Sequence, residues 1–324
     1  MQTVSTRLFQ ALLAYWRNAT RAQQALFIAG TLLLGSMVFH GVALVASGGS
    51  IHGPVSFRKA MTFAETLGLT CWVIGWMLPL FAFGRRTTWL VTGFVLLFTL
   101  GEAFLMSMQV WRGVPSHYNF TTPFNMAVFY ATGVGAVGFT VLAAALLVLS
   151  FRRHNAPPSV MLAIRTGLMI TLFGSATGVL MSVNAGPIWE GIAAIMQRFS
   201  TSPIGRYIGQ PEGTVGGNIV LLHALGVHGL QLLPLVGWLL GYSQLAERQR
   251  VCLVAATALS WAALLALLTV QAFRGLPLTS IAPLTGALLA LAAAATLICY
   301  LIAGRAALQG MPGASPTSAV PQAV

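Results

Sequence analysis

Apolar runs of twenty or more residues recur along the chain, parted by short polar punctuation. They fall at about 24–47, 62–84, 88–110, 124–151, 163–184, 218–243, 251–273 and 279–304. About 20 residues at 1.5 Å per residue cross about 30 Å of hydrocarbon, so each run predicts a membrane-spanning helix. A membrane barrel would need alternating segments of about 10 residues, which this chain does not have. The connectors carry turn signals: Gly48-Gly49, Gly84-Arg85-Arg86, Pro157-Pro158, and Gly275 with Pro277. The predicted fold class is all-α, a polytopic membrane bundle of about eight helices over 24–304. Pro79, Pro234 and Pro283 are expected to kink their spans. No internal repeat is legible in the pattern.

Two segments outside the spans are amphipathic. Within 1–23, Leu8, Phe9, Leu12, Leu13 and Trp16 stand at helical spacing beside Arg7, Arg17 and Arg21, which predicts a helix on the membrane surface. In the long loop 185–217, Pro187 opens a helical stripe ending at Phe199, which predicts an interfacial helix that could cover a site. The tail 305–324 is rich in Gly, Pro, Ser and Ala and is expected to be disordered.

Composition narrows the class. The chain is 57% hydrophobic and 7% charged, so its net charge of +12 is not the footprint of a nucleic-acid partner. The cations sit in short clusters between the spans. Eight spans put both termini on one side, where eleven Lys and Arg fall against six on the other. The positive-inside rule makes that side cytoplasmic, N-in and C-in, and the expected setting is the lipid bilayer of a bacterial inner membrane. Glu65, Glu102, Glu190 and Glu212 then lie toward the outer side, and Glu247 toward the inner. Cys71, Cys252 and Cys299 have no paired spacing and read as small buried hydrophobes.

Against this background, ionisable residues inside the spans stand out. Such a group costs about 2.5–3.5 kcal/mol on insertion scales and commonly marks a function. The candidates are His40, Glu65, Glu102, His117, His223 and His228, all placed in the outer half or beside it. Counting from the span ends at 1.5 Å per residue puts His40 and Glu102 roughly 10 Å deep, so one shared pocket is geometrically open. Glu102, Met106, Gln109 and Arg112 share a helical face, with Glu102 as the buried acid and Arg112 as a candidate partner. Arg112 and His117 would form the entrance. His228 and Gln231, three apart, also share a face, whereas His223 and His228 do not.

Several chemistries fit these residue types. His40-Gly41 and His228-Gly229 would let a flat macrocycle approach, so a haem b held by His40 and His228, with His223 and Gln231 nearby, is the leading expectation. A transition metal held among Glu65, Glu102, His40 and His223 is the second, since imidazole and carboxylate suit Zn, Cu, Fe or Mn. Either implies a redox role, with a quinone or a periplasmic protein as partner. A proton-coupled carrier using Glu102 and Glu65 is the alternative. A structural or assembly protein, whose polar groups only hydrogen-bond across helices, is another. Hydrolase and nucleotide motifs are missing, and with no Asp in the chain any acid–base work falls to Glu or His. Asn119-Phe120-Thr121 matches a glycosylation acceptor.

Three stretches, taken together and in order, resemble a family of uncharacterised bacterial multi-pass integral membrane proteins. They are Phe57-Arg58-Lys59 leading to Phe63, Arg112-Gly113 through Ser116-His117-Tyr118-Asn119 with Thr122-Pro123-Phe124, and His223 to Gln231 with Pro234. The most specific element is the outer-loop pattern Arg-Gly-x-x-Ser-His-aromatic-Asn, and Ile208 to Gly213 fits a Gly/Pro/acid loop in the same place. The chain departs from the pattern at Ala60, where the family carries Pro. The resemblance implies the multi-pass topology and no particular activity.

Overall fold

The computed structural model describes residues 13, 15–53, 55–152, 154–185, 207–208 and 217–310. The N-terminal stretch before residue 13, the 187–199 helix, the 209–213 turn and the tail beyond 310 lie outside the described residues. Eight of the described helices or helix pairs are long and apolar enough to cross a membrane, and the protein is a multi-pass, all-α membrane protein. Its apolar side chains face outward as lipid contact requires: Leu97, Val134, Leu259 and Leu284 are each more than 70% exposed. The chain divides into two compact units between Ala156 and Pro157.

The first unit holds α1 (Arg21–Ala46), α2 (Phe57–Met77), α3 (Arg85–Trp111) and α4 (Pro123–Leu149). Local chemistry sets their starts. Thr20 and Gln23 form a capping box on α1, Ser56 accepts from Arg58 N on α2, and Thr122 accepts from Asn125 N with Pro123 in the first turn of α4. The second span begins at Phe57, earlier than its apolar run, because Ser56 caps it and draws Arg58 and Lys59 into the first turn. Pro79 does not kink this span. It lies in a single 3-10 turn, Leu78–Leu80, that ends it. Helix α1 crosses α2 closely at Gly30 and Gly68, where a Cβ on Gly30 would fall 2.7 Å from the Gly68 carbonyl oxygen. Small residues let membrane helices approach in this way. Trp72 meets Phe27 edge-on in the same contact.

The second unit holds α5 (Pro158–Ala185), α6 (Ile219–Val227), α7 (Gly229–Gly241), α8 (Glu247–Phe273) and α9 (Pro283–Gly310). Helices α6 and α7 are one span, broken at His228. The break lies six residues before Pro234, which cannot donate to the Leu230 carbonyl and so loosens the turns preceding it. Pro283 opens α9 at its first position and produces no kink. On its α5 side the span packs through glycines: a Cβ on Gly167 would fall 2.9 Å from the Gly229 oxygen, and one on Gly237 would meet Ala163. Ala163, Val236, Leu240, Val254 and Ala303, all fully buried, form the core of this unit. The Glu247 carboxylate accepts from Ser159 N at 2.7 Å, capping α5 from the start of α8. That contact accounts for the lone acidic residue among the basic connectors. A two-residue antiparallel ladder pairs β1 (Tyr207–Ile208) with β2 (Gly217–Asn218).

Candidate functional site

The polar residues of the first unit gather at the end where α1 runs into α2 and α3 into α4. Helix α3 stops there in a Schellman turn. Gly113 takes φ +67°, its N–H bonds Val110 O, and Val114 N–H reaches back to Gln109 O. The turn directs residues 114–122 across the helix ends, where they are tied down. Asn119, 3% exposed, donates to Pro115 O at 2.9 Å and accepts from Thr121 Oγ1 at 2.6 Å. Its amide is thereby engaged and buried, which removes it as a glycosylation acceptor in the fold.

A second knot joins α3 to α4. Asn125 Oδ1 accepts from Gln109 Nε2 at 3.2 Å and from Arg112 Nη1 at 3.0 Å. Arg112 also donates to Gln109 Oε1, and its guanidinium lies over the Phe124 ring. Arg112 is therefore not the partner of Glu102. Its Nη1 donates to two neutral oxygens at the helix end.

Lys59 touches His117 directly and reaches Glu102 through its charge alone. Its Nζ lies 3.2 Å from His117 Nδ1, which is also 3.2 Å from Ser116 Oγ. An ammonium only donates, so Nδ1 accepts, and in the neutral ring Nε2 carries the proton. Phe63 and Phe129 pack their rings against the imidazole. The Lys59 charge also acts on Glu102. Glu102 is buried on α3, with its Oε2 3.8 Å from where a Cβ on Gly135 of α4 would stand. It makes no hydrogen bond to another described residue. Below it on the same face of α3 lie the buried hydroxyls of Thr99 and Thr92, each donating to its own helix four residues back. Cys71 Sγ of α2 lies 3.1 Å from Thr99 Oγ1. A stripe of polar groups thus runs along the buried face of α3 from Thr92 to Gln109.

His40 and Glu65 are placed differently. His40 is 3% exposed, and both its ring nitrogens are engaged. Trp111 Nε1, which only donates, bonds Nε2 at 3.2 Å, so Nδ1 holds the proton and donates to Ser36 O at 2.8 Å. Ligation of a metal or haem iron by His40 would require the Trp111 bond to be given up. Glu65 is half-buried and lies six residues beyond Lys59, about 240° around α2 and so on another face. It forms no hydrogen bond or ion pair with a described residue.

In the second unit, His223 Nδ1 donates to Gly174 O at 2.8 Å, with its ring against Gly178. The bond leaves the lone pair on Nε2, the arrangement usual for a metal-ligating imidazole. His228 lies at the break between α6 and α7, within electrostatic range of His223, and its carbonyl accepts from Gln231 N at 3.1 Å. Among the described residues, no three His, Cys or Glu side chains converge on a point that could hold a metal ion.

Lys59 and Ser116 were legible only as members of the motif stretches and not as partners of His117, and Asn125 was not legible as a site residue. The signal for Lys59 was its place one helical turn before Phe63 on the first turns of a span, the right depth to meet a connecting loop. No family model matches the chain, and neither does any curated protein or solved structure.

Proposed function

We propose that the protein is a proton-coupled carrier of the bacterial inner membrane, with its proton-exchanging group at Glu102 in the first unit. The observation that supports this reading most is a carboxyl buried in a membrane helix with no hydrogen-bond partner among the described residues. Among the described residues, the charge acting on it is that of Lys59. A carboxylate kept solely for structure would be expected to hold a hydrogen bond, because an unpaired buried charge is costly. Lys59 and His117 lie at the outer entrance in the orientation that the basic loops favour, and can pass a proton or hold an anionic solute above the carboxyl. The hydroxyl stripe at Thr99 and Thr92 extends the polar face inward.

The test is proton movement. Proteoliposomes loaded with the dye pyranine are given a potassium diffusion potential with valinomycin. The protein should acidify the lumen faster than protein-free vesicles do, and Glu102→Gln should remove the difference. Equal rates for the two proteins at every pH would overturn the proposal.

One observation favours a second reading, a cofactor protein: the tautomer of His223, whose Nε2 is left with its lone pair. A haem b or transition metal there would supply one-electron chemistry when bound. An absorption spectrum and metal analysis of the purified protein test it. A Soret band or bound metal that is lost in His223→Ala supports it, and an unaffected signal contradicts it.

A further inference from the structure

The two units repeat one another. Helix α2 starts at Phe57 and α6 at Ile219, α3 starts at Arg85 and α8 at Glu247, and α3 ends at Trp111 and α8 at Phe273; every pair is 162 residues apart. The opening helices, α1 from Arg21 and α5 from Pro158, are 137 apart, and the closing ones, from Pro123 and Pro283, 160 apart. The change from 137 to 162 is taken up mainly in the longer connector between α5 and α6.

The same register aligns sequence and burial. Gln109-Val-Trp-Arg-Gly-Val-Pro115 falls on Gln271-Ala-Phe-Arg-Gly-Leu-Pro277, and Ile74-Gly-Trp76 on Val236-Gly-Trp238. The buried positions Val95, Thr99, Ala103, Met106, Gln109 and Val110 of α3 fall on buried Thr257, Trp261, Leu265, Leu268, Gln271 and Ala272 of α8. Local geometry repeats as well. Gly275 takes φ +68° where Gly113 takes +67°, and Leu276 N–H reaches Gln271 O as Val114 N–H reaches Gln109 O. Gly30 meets the carbonyl of Gly68 and Gly167 that of Gly229, one residue off the register, so both opening helices cross the second span at a glycine.

We infer that the chain is a tandem duplication of one four-helix unit, and that Lys59 and Glu102 are working residues of the first copy which the fold itself does not need. At the same register the second copy holds Leu221 for Lys59, Leu264 for Glu102 and Val227 for Glu65 and, at the 137-residue spacing of the opening helices, Thr177 for His40. It builds the same unit without any of these ionisable groups. What the copies share is scaffold. Gln109 and Gln271 each tie the end of a helix to the segment after it, Gln109 to Asn125 and Gln271 to Pro277 O and Ser280 O. Arg112 and Arg274 both stand at the C-cap before the left-handed glycine. Arg112 thus moves from the entrance of the site to the frame around it. Two imidazoles diverge the other way, with His223 at the place of Met61 and His228 at that of Thr66.

The duplication stands by itself; assigning work to the divergent residues rests on the proton-carrier reading. The experiment separates the two. The full-length double variant Lys59→Leu/Glu102→Leu takes the second copy's residues, and Gln109→Leu and Gln271→Leu each break a shared tie. In detergent, the double variant should purify as a single species melting no lower than wild type, while both Gln variants melt lower by similar amounts. In the pyranine assay the double variant should match empty vesicles. Misfolding or a lowered melting temperature in the double variant would overturn the inference that these charges are dispensable to the fold. So would a fall in melting for only one of the two Gln variants, against a shared scaffold. A well-folded double variant that still moves protons at the wild-type rate would leave the duplication standing and overturn the functional assignment.

Discussion

His40 illustrates how a buried imidazole can be fully occupied by structure. Its two nitrogens, one donating to Ser36 O and one accepting from Trp111, join the far end of α1 to the end of α3. Trp111→Phe should strand the Nε2 lone pair and lower stability by about 1 kcal/mol, read from thermal unfolding in detergent, with proton flux unchanged. Asn125 is the more sensitive position, because one oxygen serves both Gln109 and Arg112. Asn125→Ala should cost about 1–3 kcal/mol in the same measurement, since the fully buried Gln109 amide loses its acceptor and the exposed Arg112 one of its two. The shared face of Glu102 and Arg112 was legible from spacing. That the guanidinium would turn toward Asn125 depended on α4, which no local spacing could supply. The charge that does act on Glu102 comes from Lys59, on a helix whose register against α3 is a matter of packing.

At the scale of elements, glycine contacts and caps decide which helices pair. Gly30→Ala should destabilise the protein, because the added methyl meets Trp72 and the Gly68 backbone. Gly93→Ala, with nothing within 4 Å, should leave stability unchanged or slightly raised. The difference between the two melting curves tests the close α1–α2 crossing. Glu247→Ala should lose the bond to Ser159 N and cost about 1 kcal/mol, while Glu247→Gln, which keeps the acceptor, should cost less. The spans themselves were legible because length and apolarity suffice to define them, and their observed bounds lie within a few residues of the apolar runs. The kinks expected at Pro79 and Pro283 are absent because one lies in a terminal 3-10 turn and the other at the first helical position, where the missing N–H breaks no interior bond; the local sequence looks the same as for a proline in mid-helix.

The whole molecule is two versions of one unit, and this was not legible from the pattern of hydrophobic positions. Almost any membrane helix satisfies that pattern, so it cannot distinguish repeated spans from unrelated ones. The informative matches are few, chiefly Gln-x-aromatic-Arg-Gly-x-Pro and Gly-Trp, and they lie 162 residues apart, beyond the short periods that mark solenoid repeats. Helix boundaries and buried faces were needed to bring them into register. Once aligned, they divide the polar residues into frame and machinery, with Glu102 in the second group. The chain has no Asp and five Glu in all, so its side-chain carboxyl signals are few enough to assign singly. The most direct measurement is the infrared difference spectrum of the reconstituted protein between acid and alkaline pH. A carboxylic-acid C=O band is expected at the frequency of an apolar setting, missing in Glu102→Gln and retained in Glu65→Gln. A spectrum that is the same in Glu102→Gln as in wild type would contradict the role of Glu102.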